Sequence, residues 1–342
     1  MPAQAPLVAI CMATFDPDPQ LLERQIASIR EQTHEAWVCL ISDDGSSGER
    51  FERLRALIVD EPRFTLSRGD ARLGFYLNFE RALRMVPADA AFVALADQDD
   101  RWYPEKLAEL LVACRSAQLA YSDMRIVDEA GRVVSDTFWN RRRNNHTNLA
   151  SLLLANTVTG AASLFRRQLL DLVLPFPPRV GDAFHDHWIA SVALATGRIA
   201  YVDRPLYDYV QHGGAARGHD AAMQEWDPRR LLSWRQPRQN LQRIAAHGRR
   251  SYGTHVRRIA LNAQTIEARA GGTLEASKAR AVWRVARLGR PPEPAAWLAL
   301  RSLRRLVGRN ETMGIELSLC TAIMWRRLEA ARVFLRGRAI RR

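Results

Sequence analysis

The sequence is poor in cysteine, with four in 342 residues, at Cys11, Cys39, Cys114 and Cys320. Their spacing fits no metal-binding motif, which argues against a cysteine-ligated metal site. Two of them lie in strands that we predict to be buried, where a free thiol acts as a small hydrophobic group. Free thiols fit a reducing compartment, so we expect a cytoplasmic protein.

Long hydrophobic runs and internal repeats are also absent. No stretch of about 18 apolar residues occurs, and we therefore predict no transmembrane helix. Residues 1–6 carry no positive side chain, so we expect no secretory signal. The apolar fraction of 47% is nevertheless sufficient for a packed core and argues against disorder.

Charge is distributed unevenly. Residues 1–215 contain 23 Lys/Arg and 28 Asp/Glu, a net charge of −5, and residues 216–342 contain 27 and 9, a net charge of +18, which together give +13. We predict an acidic domain over 1–215 and a basic helical region over 216–342. A basic surface attracts a polyanion, either nucleic acid or an anionic membrane, and composition leaves both open.

Strands alternate with helices along the first part of the chain. We predict strands at Leu7–Ala13, Trp37–Ser42, Arg63–Ser67, Ala91–Ala96, Thr157–Phe165, Ile199–Asp203 and Leu206–Gln211. We predict helices at Gln20–Gln32, Gly48–Asp60, Phe75–Val86, Pro104–Ser116 and Phe184–Thr196, and a hairpin at Met124–Val134. This alternation predicts an α/β fold with a mostly parallel sheet flanked by helices.

Two acidic clusters follow predicted strands, at Asp43-Asp44-Gly45-Ser46 and Asp97-Gln98-Asp99-Asp100. Open α/β sheets bind ligands at the carboxyl ends of their strands. The first cluster also fits a turn that caps a helix. The second contains three carboxylates that repel one another unless cations or donors offset them. Asp99 is our main candidate ligand for Mg²⁺ or Mn²⁺, which would in turn hold a diphosphate, and Asp97 would contact the ribose or the metal.

Two histidine-containing segments follow later in the chain. His185-Asp186-His187 begins a predicted helix, where Asp186 is either a helix-terminal charge or a general base that points into the cleft. His212 follows a predicted strand and precedes two glycines, a position that suits contact with a metal or a diphosphate.

Taken in order, these segments resemble a family 2 inverting glycosyltransferase of the GT-A type, in particular the bacterial polysaccharide rhamnosyltransferases. The resemblance covers roughly residues 7–214. The stretches that carry it are Ala13-Thr14-Phe15-Asp16, Ser42-Asp43-Asp44-Gly45-Ser46, Leu73-Gly74 with Asn78-Phe79, Asp97-Gln98-Asp99-Asp100-Arg101-Trp102, Pro104-Glu105-Lys106-Leu107, Tyr121-Ser122-Asp123, Thr159-Gly160-Ala161-Ala162, His185-Asp186-His187-Trp188 and Gln211-His212-Gly213.

The resemblance implies a GT-A (Rossmann-like) fold and a role for each matching position. The nucleotide pocket would be lined by Thr14, Asp16, Asp43, Asp44 and Asp97. The metal would be held by Asp99 and His212, Asp186 would be the catalytic base, and the acceptor would lie near Thr159, Gly160, His185 and Trp188. One departure is Phe15-Asp16-Pro17, where the family often has an aromatic residue followed by Asn-Gly.

The expected activity is metal-dependent transfer of a sugar to a hydroxyl of a growing cell-surface polysaccharide or lipid-linked glycan. The resemblance favours dTDP-rhamnose as the donor, and a UDP-hexose is the alternative. Nucleotidyl transfer is disfavoured because no basic, glycine-rich phosphate loop follows the first predicted strand. We expect no nucleic-acid partner, since the basic region lacks zinc-ligand spacing and the acidic domain would repel a polyanion.

The basic region includes an amphipathic segment, Ala295–Val307. At helical spacing its apolar side contains Ala296, Ala299, Leu300, Leu303, Leu306 and Val307. Its other side contains Arg301, Arg304, Arg305 and Arg309. This pattern is typical of an interfacial helix on an anionic membrane, and residues 220–342 would then hold the enzyme peripherally on the inner face of the cytoplasmic membrane. The alternative is a helical bundle that packs on the catalytic domain or on a second copy, with solvated arginines.

Overall fold

A computed structural model of the protein describes residues 5–140, 142–211, 226–227, 237–290 and 293–339. The chain forms two compact units. The first contains Met1–Arg141, Thr157–Phe176 and Phe184–Ala222, and the second contains Arg142–Asn156, Pro177–Ala183 and Met223–Arg342. Two short segments that precede residue 216 therefore belong to the second unit.

The first unit is built on one sheet. Its strands are β1 (Val8–Thr14), β2 (Trp37–Asp43), β3 (Phe64–Arg68), β4 (Phe92–Ala96), β5 (Arg101–Trp102), β6 (Leu119–Asp128), β7 (Val133–Ser135), β8 (Ser163–Arg166) and β9 (Ile199–Gln211). Their order is β3-β2-β1-β4-β8-β6-β9-β5, and β7 pairs with β6. Strands β1 to β4 are parallel, whereas β8 runs antiparallel to both of its neighbours. The predicted α/β fold is confirmed.

Six helices lie among the described residues of this unit. They are α1 (Pro19–Arg30), α2 (Gly48–Ile58), α3 (Phe75–Arg84), α4 (Lys106–Ala113), α6 (Leu170–Val173) and α7 (His185–Thr196), and α5 (Leu149–Leu154) belongs to the second unit. Helix α1 begins where it does because the Asp18 side chain accepts the N–H groups of Gln20 and Leu21, and Pro19 occupies the first turn.

Two predicted elements differ from the structure. The predicted strand Thr157–Phe165 is wrong in its first half, because Gly160–Ala162 forms a 3-10 turn and β8 starts only at Ser163. The two strands predicted at the end of this region are one strand, β9. Its pairing with β6 skips two residues before Pro205, which lacks a backbone donor.

The second unit is helical in the part that the structure describes. Its later helices are α8 (Pro237–Ser251), α9 (Arg257–Ala270), α10 (Ala276–Ala286), α11 (Glu293–Ser302) and α12 (Ile315–Ala339). Helix α9 buries Ile259, Ala263 and Ile266 at helical spacing, and α10 contributes Val282 and Val285 to the core. Across the described residues, the structure has no helix with the length and apolar content to cross a bilayer.

Candidate active site

The turn after β2 is held by buried hydrogen bonds to Asp43. One carboxylate oxygen accepts the backbone N–H of Ser46 at 2.9 Å, and the other accepts the Thr14 hydroxyl, at the end of β1, at 3.1 Å. The turn requires φ +81° at Gly45, a conformation that glycine adopts without a steric penalty. Asp43 therefore ties the carboxyl ends of β1 and β2 together.

Asp44 holds the loop that leads into α3. Its two carboxylate oxygens accept the N–H groups of Leu73 and Gly74 at 2.9 and 2.7 Å. An ionised carboxylate offers about four acceptor positions, so Asp44 can also accept from a ligand. Asp16 is exposed and accepts the Ser47 N–H at 2.8 Å. The structure thus brings Thr14, Asp16, Asp43 and Asp44 to one edge of the sheet.

Helix α3 contributes a positioning residue that the sequence did not reveal. The Arg81 guanidinium donates to the Ser42 hydroxyl at 2.6 Å and to the Asn78 side-chain oxygen at 2.8 Å. The Asn78 amide donates in turn to the Ser42 and Thr14 carbonyls at 2.9 and 3.2 Å. The sequence offered one signal for this pair, the spacing of three residues between Asn78 and Arg81, which places both side chains on the same side of a helix.

Three carboxylates from two separate segments converge beside this edge. Burial, together with the negative charges of Asp99 and Asp186, raises the pKa of Asp97 to about 7. Because charges interact this strongly only at short range, Asp186 at the start of α7 lies near the loop after β4. The Gln98 side chain accepts the Phe15 N–H at 2.8 Å and so joins the same loop to the end of β1.

A buried lysine offsets part of this negative charge. The Lys106 ammonium lies 3.6 Å from the Trp102 ring centroid and 4.5 Å from that of Tyr207, and it donates to the Ala161 carbonyl. Burial lowers the pKa of Lys106, while the charges of Asp100 and Asp97 raise it. Asp100 is buried as well, and one of its carboxylate oxygens has no hydrogen-bond partner. Lys106 belongs to the motif Pro104-Glu105-Lys106-Leu107, but the motif alone does not indicate this charge-balancing role.

We expect Lys106→Met to destabilise the fold by about 3–5 kcal/mol, because it leaves buried carboxylates without a counter-charge. The free energy of unfolding in urea measures this loss. Lys278→Met is the matched control, since the Lys278 ammonium lies 4.0 Å from the mostly exposed Glu275 carboxylate and such pairs contribute at most about 1 kcal/mol. Similar small losses in both variants would contradict a structural charge at Lys106.

His185 lies beneath the 3-10 turn that follows Thr159. Its buried ring stacks on Phe79 with 3.7 Å between ring centroids, and in the described part of the chain neither ring nitrogen has a hydrogen-bond partner. Burial lowers the pKa of His185 to about 3, so its ring is neutral at pH 7. A Cβ added at Gly160 would lie 2.8 Å from the His185 Nε2 atom and 3.4 Å from the Asp186 Cβ atom. The structure therefore brings Gly160, His185 and Asp186 into close proximity.

Two predicted site residues do not join this group. Trp188 is completely buried, and its indole N–H donates to the Val173 carbonyl at 2.9 Å. Its ring anchors α7 in the core, so the predicted acceptor contact of Trp188 does not fit the structure. His212 lies outside the described residues.

The donor set of the site fits a hard divalent cation. Within the described ranges, no group of three or more His, Cys, Asp and Glu side chains is placed to hold a metal ion. Asp97 and Asp99 nevertheless supply carboxylates that repel each other, which a cation would relieve. Mg²⁺ typically takes one or two carboxylates together with phosphate oxygens and water. The residues present therefore suit Mg²⁺ or Mn²⁺ shared with a diphosphate.

Comparisons with known proteins match part of this chain to one enzyme family. Residues 9–174 match glycosyl transferase family 2. Succinoglycan biosynthesis protein ExoW of Rhizobium meliloti is 33% identical over 107 residues, which are 29% of this chain and 31% of ExoW. Uncharacterized protein y4gI of Sinorhizobium fredii is 29% identical over 143 residues, which are 40% of this chain and 16% of y4gI. The chain thus spans less than a third of either relative.

The fold is similar to that of a solved structure from S. aureus. TarS 1–349, in complex with UDP-GlcNAc, matches with a TM-score of 0.53 and 13% identity, and the match covers 94% of this chain and 92% of TarS 1–349. At this identity the likeness concerns the fold.

Proposed function

We propose that this glycosyltransferase, whose residues 9–174 form a family 2 domain, moves a sugar from a nucleotide-diphosphate donor to a hydroxyl of a growing cell-surface polysaccharide or lipid-linked glycan. The observation that carries the proposal is the convergence of Asp97, Asp99 and Asp186 at the carboxyl edge of the sheet. Such an edge is where α/β sheets bind ligands, and carboxylates there suit a cation that accompanies a diphosphate.

The donor would lie over the ends of β1, β2 and β4. Thr14, Asp16, Asp43 and Asp44 meet there, and Asp97 would contact the ribose. Asp99, with His212, would hold the cation. A bound cation would stabilise negative charge on the diphosphate as it leaves. Buried hydrogen bonds fix Asp43 and Asp44, which would organise the pocket before the donor binds.

The acceptor would lie between the turn after Thr159 and the start of α7. Its hydroxyl oxygen would form a bond to the anomeric carbon as the bond to the diphosphate oxygen breaks on the opposite face, which inverts that carbon. Asp186 would take the hydroxyl proton, since its Cβ atom lies only 3.4 Å from the position of a Cβ added at Gly160 in this turn. The neutral His185 ring would position the acceptor through its Nε2 atom, which has no hydrogen-bond partner among the described residues.

A more specific part of the proposal concerns which nucleotide sugar is the donor. The motifs resemble rhamnosyltransferases, which favours dTDP-rhamnose, while the UDP-GlcNAc complex of TarS makes a UDP-hexose the alternative. A thermal-shift and hydrolysis screen with Mn²⁺ would compare dTDP-rhamnose, UDP-glucose, UDP-GlcNAc and GDP-mannose. We expect dTDP-rhamnose to give the largest shift and the fastest hydrolysis. A larger response to a UDP-sugar would select the alternative, and no response to any nucleotide sugar would contradict the proposed function.

We expect Gly160→Ala to lower kcat/KM for transfer by about 10²-fold, because the added methyl group must displace His185 and with it Asp186. Gly48→Ala is the control, since a Cβ at Gly48 meets nothing within 4 Å. Both variants should keep donor affinity. Full activity in Gly160→Ala would remove this turn from the acceptor site.

We also propose that the enzyme works at the inner face of the cytoplasmic membrane, where a lipid-linked acceptor would be available. Two observations support this location. ExoW is a succinoglycan biosynthesis protein, and residues 216–342 carry a net charge of +18. A strongly basic region is attracted to anionic lipid.

A further inference from the structure

The amphipathic segment of the second unit turns its apolar side outward. It comprises α11 and the 3-10 turn Leu303–Val307 that follows. Leu300, Leu303, Leu306 and Val307, here called the leucine ridge, are 69%, 55%, 83% and 72% exposed. Single exposed leucines are common on protein surfaces, but four large apolar side chains within eight residues form a contiguous patch.

Two arginines of the same segment, Arg301 and Arg304, pair with carboxylates of the unit. The Arg301 side chain is only 8% exposed, and its Nε atom lies 3.4 Å from the buried Glu316 carboxylate. Arg304 pairs with Glu311 at 2.5 Å. Arg301 also donates to the Ser151 hydroxyl and lies over the Trp297 ring, with 5.5 Å to the ring centroid. The hypothesis of solvated arginines is therefore wrong for Arg301 and Arg304.

This arrangement keeps the ridge exposed. Burial of charged groups is unfavourable unless they are paired, and the unit supplies Glu311 and Glu316 as partners. One buried ion pair, Arg301–Glu316, and one half-buried pair, Arg304–Glu311, thus fix the segment in the orientation that exposes its leucines. A segment that only packed against the unit would be expected to bury its apolar side and to expose its arginines.

We propose that the leucine ridge inserts into the headgroup region of an anionic lipid bilayer. Residues 293–339 contain nine arginines, four glutamates and neither lysine nor aspartate, a net charge of +5. Arg309 is exposed two residues after Val307, beyond a turn at Gly308 with φ +71°. Apolar side chains flanked by exposed cations are the features by which interfacial segments bind anionic membranes. The inference goes beyond the transfer reaction, because it concerns lipid rather than donor or glycan.

Vesicle flotation of the 342-residue chain tests the ridge. Phosphatidylcholine vesicles would be compared with vesicles that also contain phosphatidylglycerol. We expect the protein to float with the anionic vesicles, and the triple variant Leu303→Ser, Leu306→Ser, Val307→Ser to bind them at least about tenfold more weakly. The matched control, Val133→Ser with Val134→Ser, removes exposed apolar side chains from β7 in the first unit and should float as the wild type does.

Three outcomes would overturn the proposal. They are wild-type protein that stays with the soluble fraction, a triple variant that floats as well as the wild type, and equal losses in the triple variant and the β7 control. A fourth outcome would assign the ridge to contact between copies. In it the wild type is a dimer in light scattering, the triple variant is a monomer, and the two bind vesicles equally.

Matching circular dichroism and Tm would establish that the triple variant is folded, as expected for exposed positions. Arg309→Glu should weaken binding to the anionic vesicles alone.

Discussion

Asp186→Asn is expected to reduce the rate of sugar transfer by about 10²–10⁴-fold, the usual contribution of a general base. The amide keeps the size of the carboxylate but cannot take the acceptor proton. Donor binding should persist, because Asp186 lies at the start of α7 and the nucleotide would lie over β1, β2 and β4. A coupled assay for the released nucleotide diphosphate measures turnover, and calorimetry measures donor affinity.

The control for this variant is Asp171→Asn, which removes an exposed carboxylate from the same unit. It should retain wild-type turnover and wild-type affinity. Asp186→Asn with normal turnover would exclude Asp186 as the base. A parallel loss of donor affinity would instead place Asp186 in the donor site, since a group that acts only in the transition state lowers kcat and leaves binding intact.

Asp99→Ala is expected to weaken Mn²⁺-dependent binding of a nucleotide diphosphate at least about tenfold, since even residues that only orient metal ligands affect metal affinity by 10–100-fold. Without Mn²⁺ the variant and the wild type should bind the nucleotide diphosphate with similar, low affinity. Calorimetric titrations in Mn²⁺ and in EDTA make this comparison.

Asp89→Ala provides a control for loss of a carboxylate, because Asp89 is exposed in the turn before β4. It should show the same Mn²⁺ dependence as the wild type. If Asp99→Ala also kept that dependence, the cation would have to be held elsewhere, and the proposed role of the loop after β4 would fail.

Local sequence signals sufficed for the first half of the sheet. Strands β1 to β4 and helices α1 to α3 lie within two residues of their predicted bounds, because short apolar runs, Asp18 at a helix start and Gly45 in a tight turn all act locally. The proximity of Asp97, Asp99 and Asp186 followed from the placement of acidic residues at strand ends and at a helix start.

The roles of Trp188 and Lys106 and the orientation of the amphipathic segment depend on tertiary contacts, which the sequence does not indicate. Trp188 lies among motif residues, yet its indole packs in the core against Val173. Lys106 is identified as a counter-charge only once Trp102 and Tyr207 are seen to enclose it. In the segment Ala295–Val307, which is α11 followed by a 3-10 turn, the helical period correctly separated the exposed leucines from Arg301 and Arg304. The side of this segment that faces the unit is set by the pairing of its arginines with Glu311 and Glu316. The helical period of the segment alone does not predict that pairing.

The most direct test of the account is a crystal structure of the protein soaked with a nucleotide diphosphate and Mn²⁺, with the ion located by its anomalous signal. We predict one Mn²⁺ peak at the Asp99 carboxylate, with the diphosphate bound to it and the Asp186 carboxylate on the far side of the space for the sugar. An ordered nucleotide diphosphate at any other surface, or an ion remote from Asp99, would contradict the account.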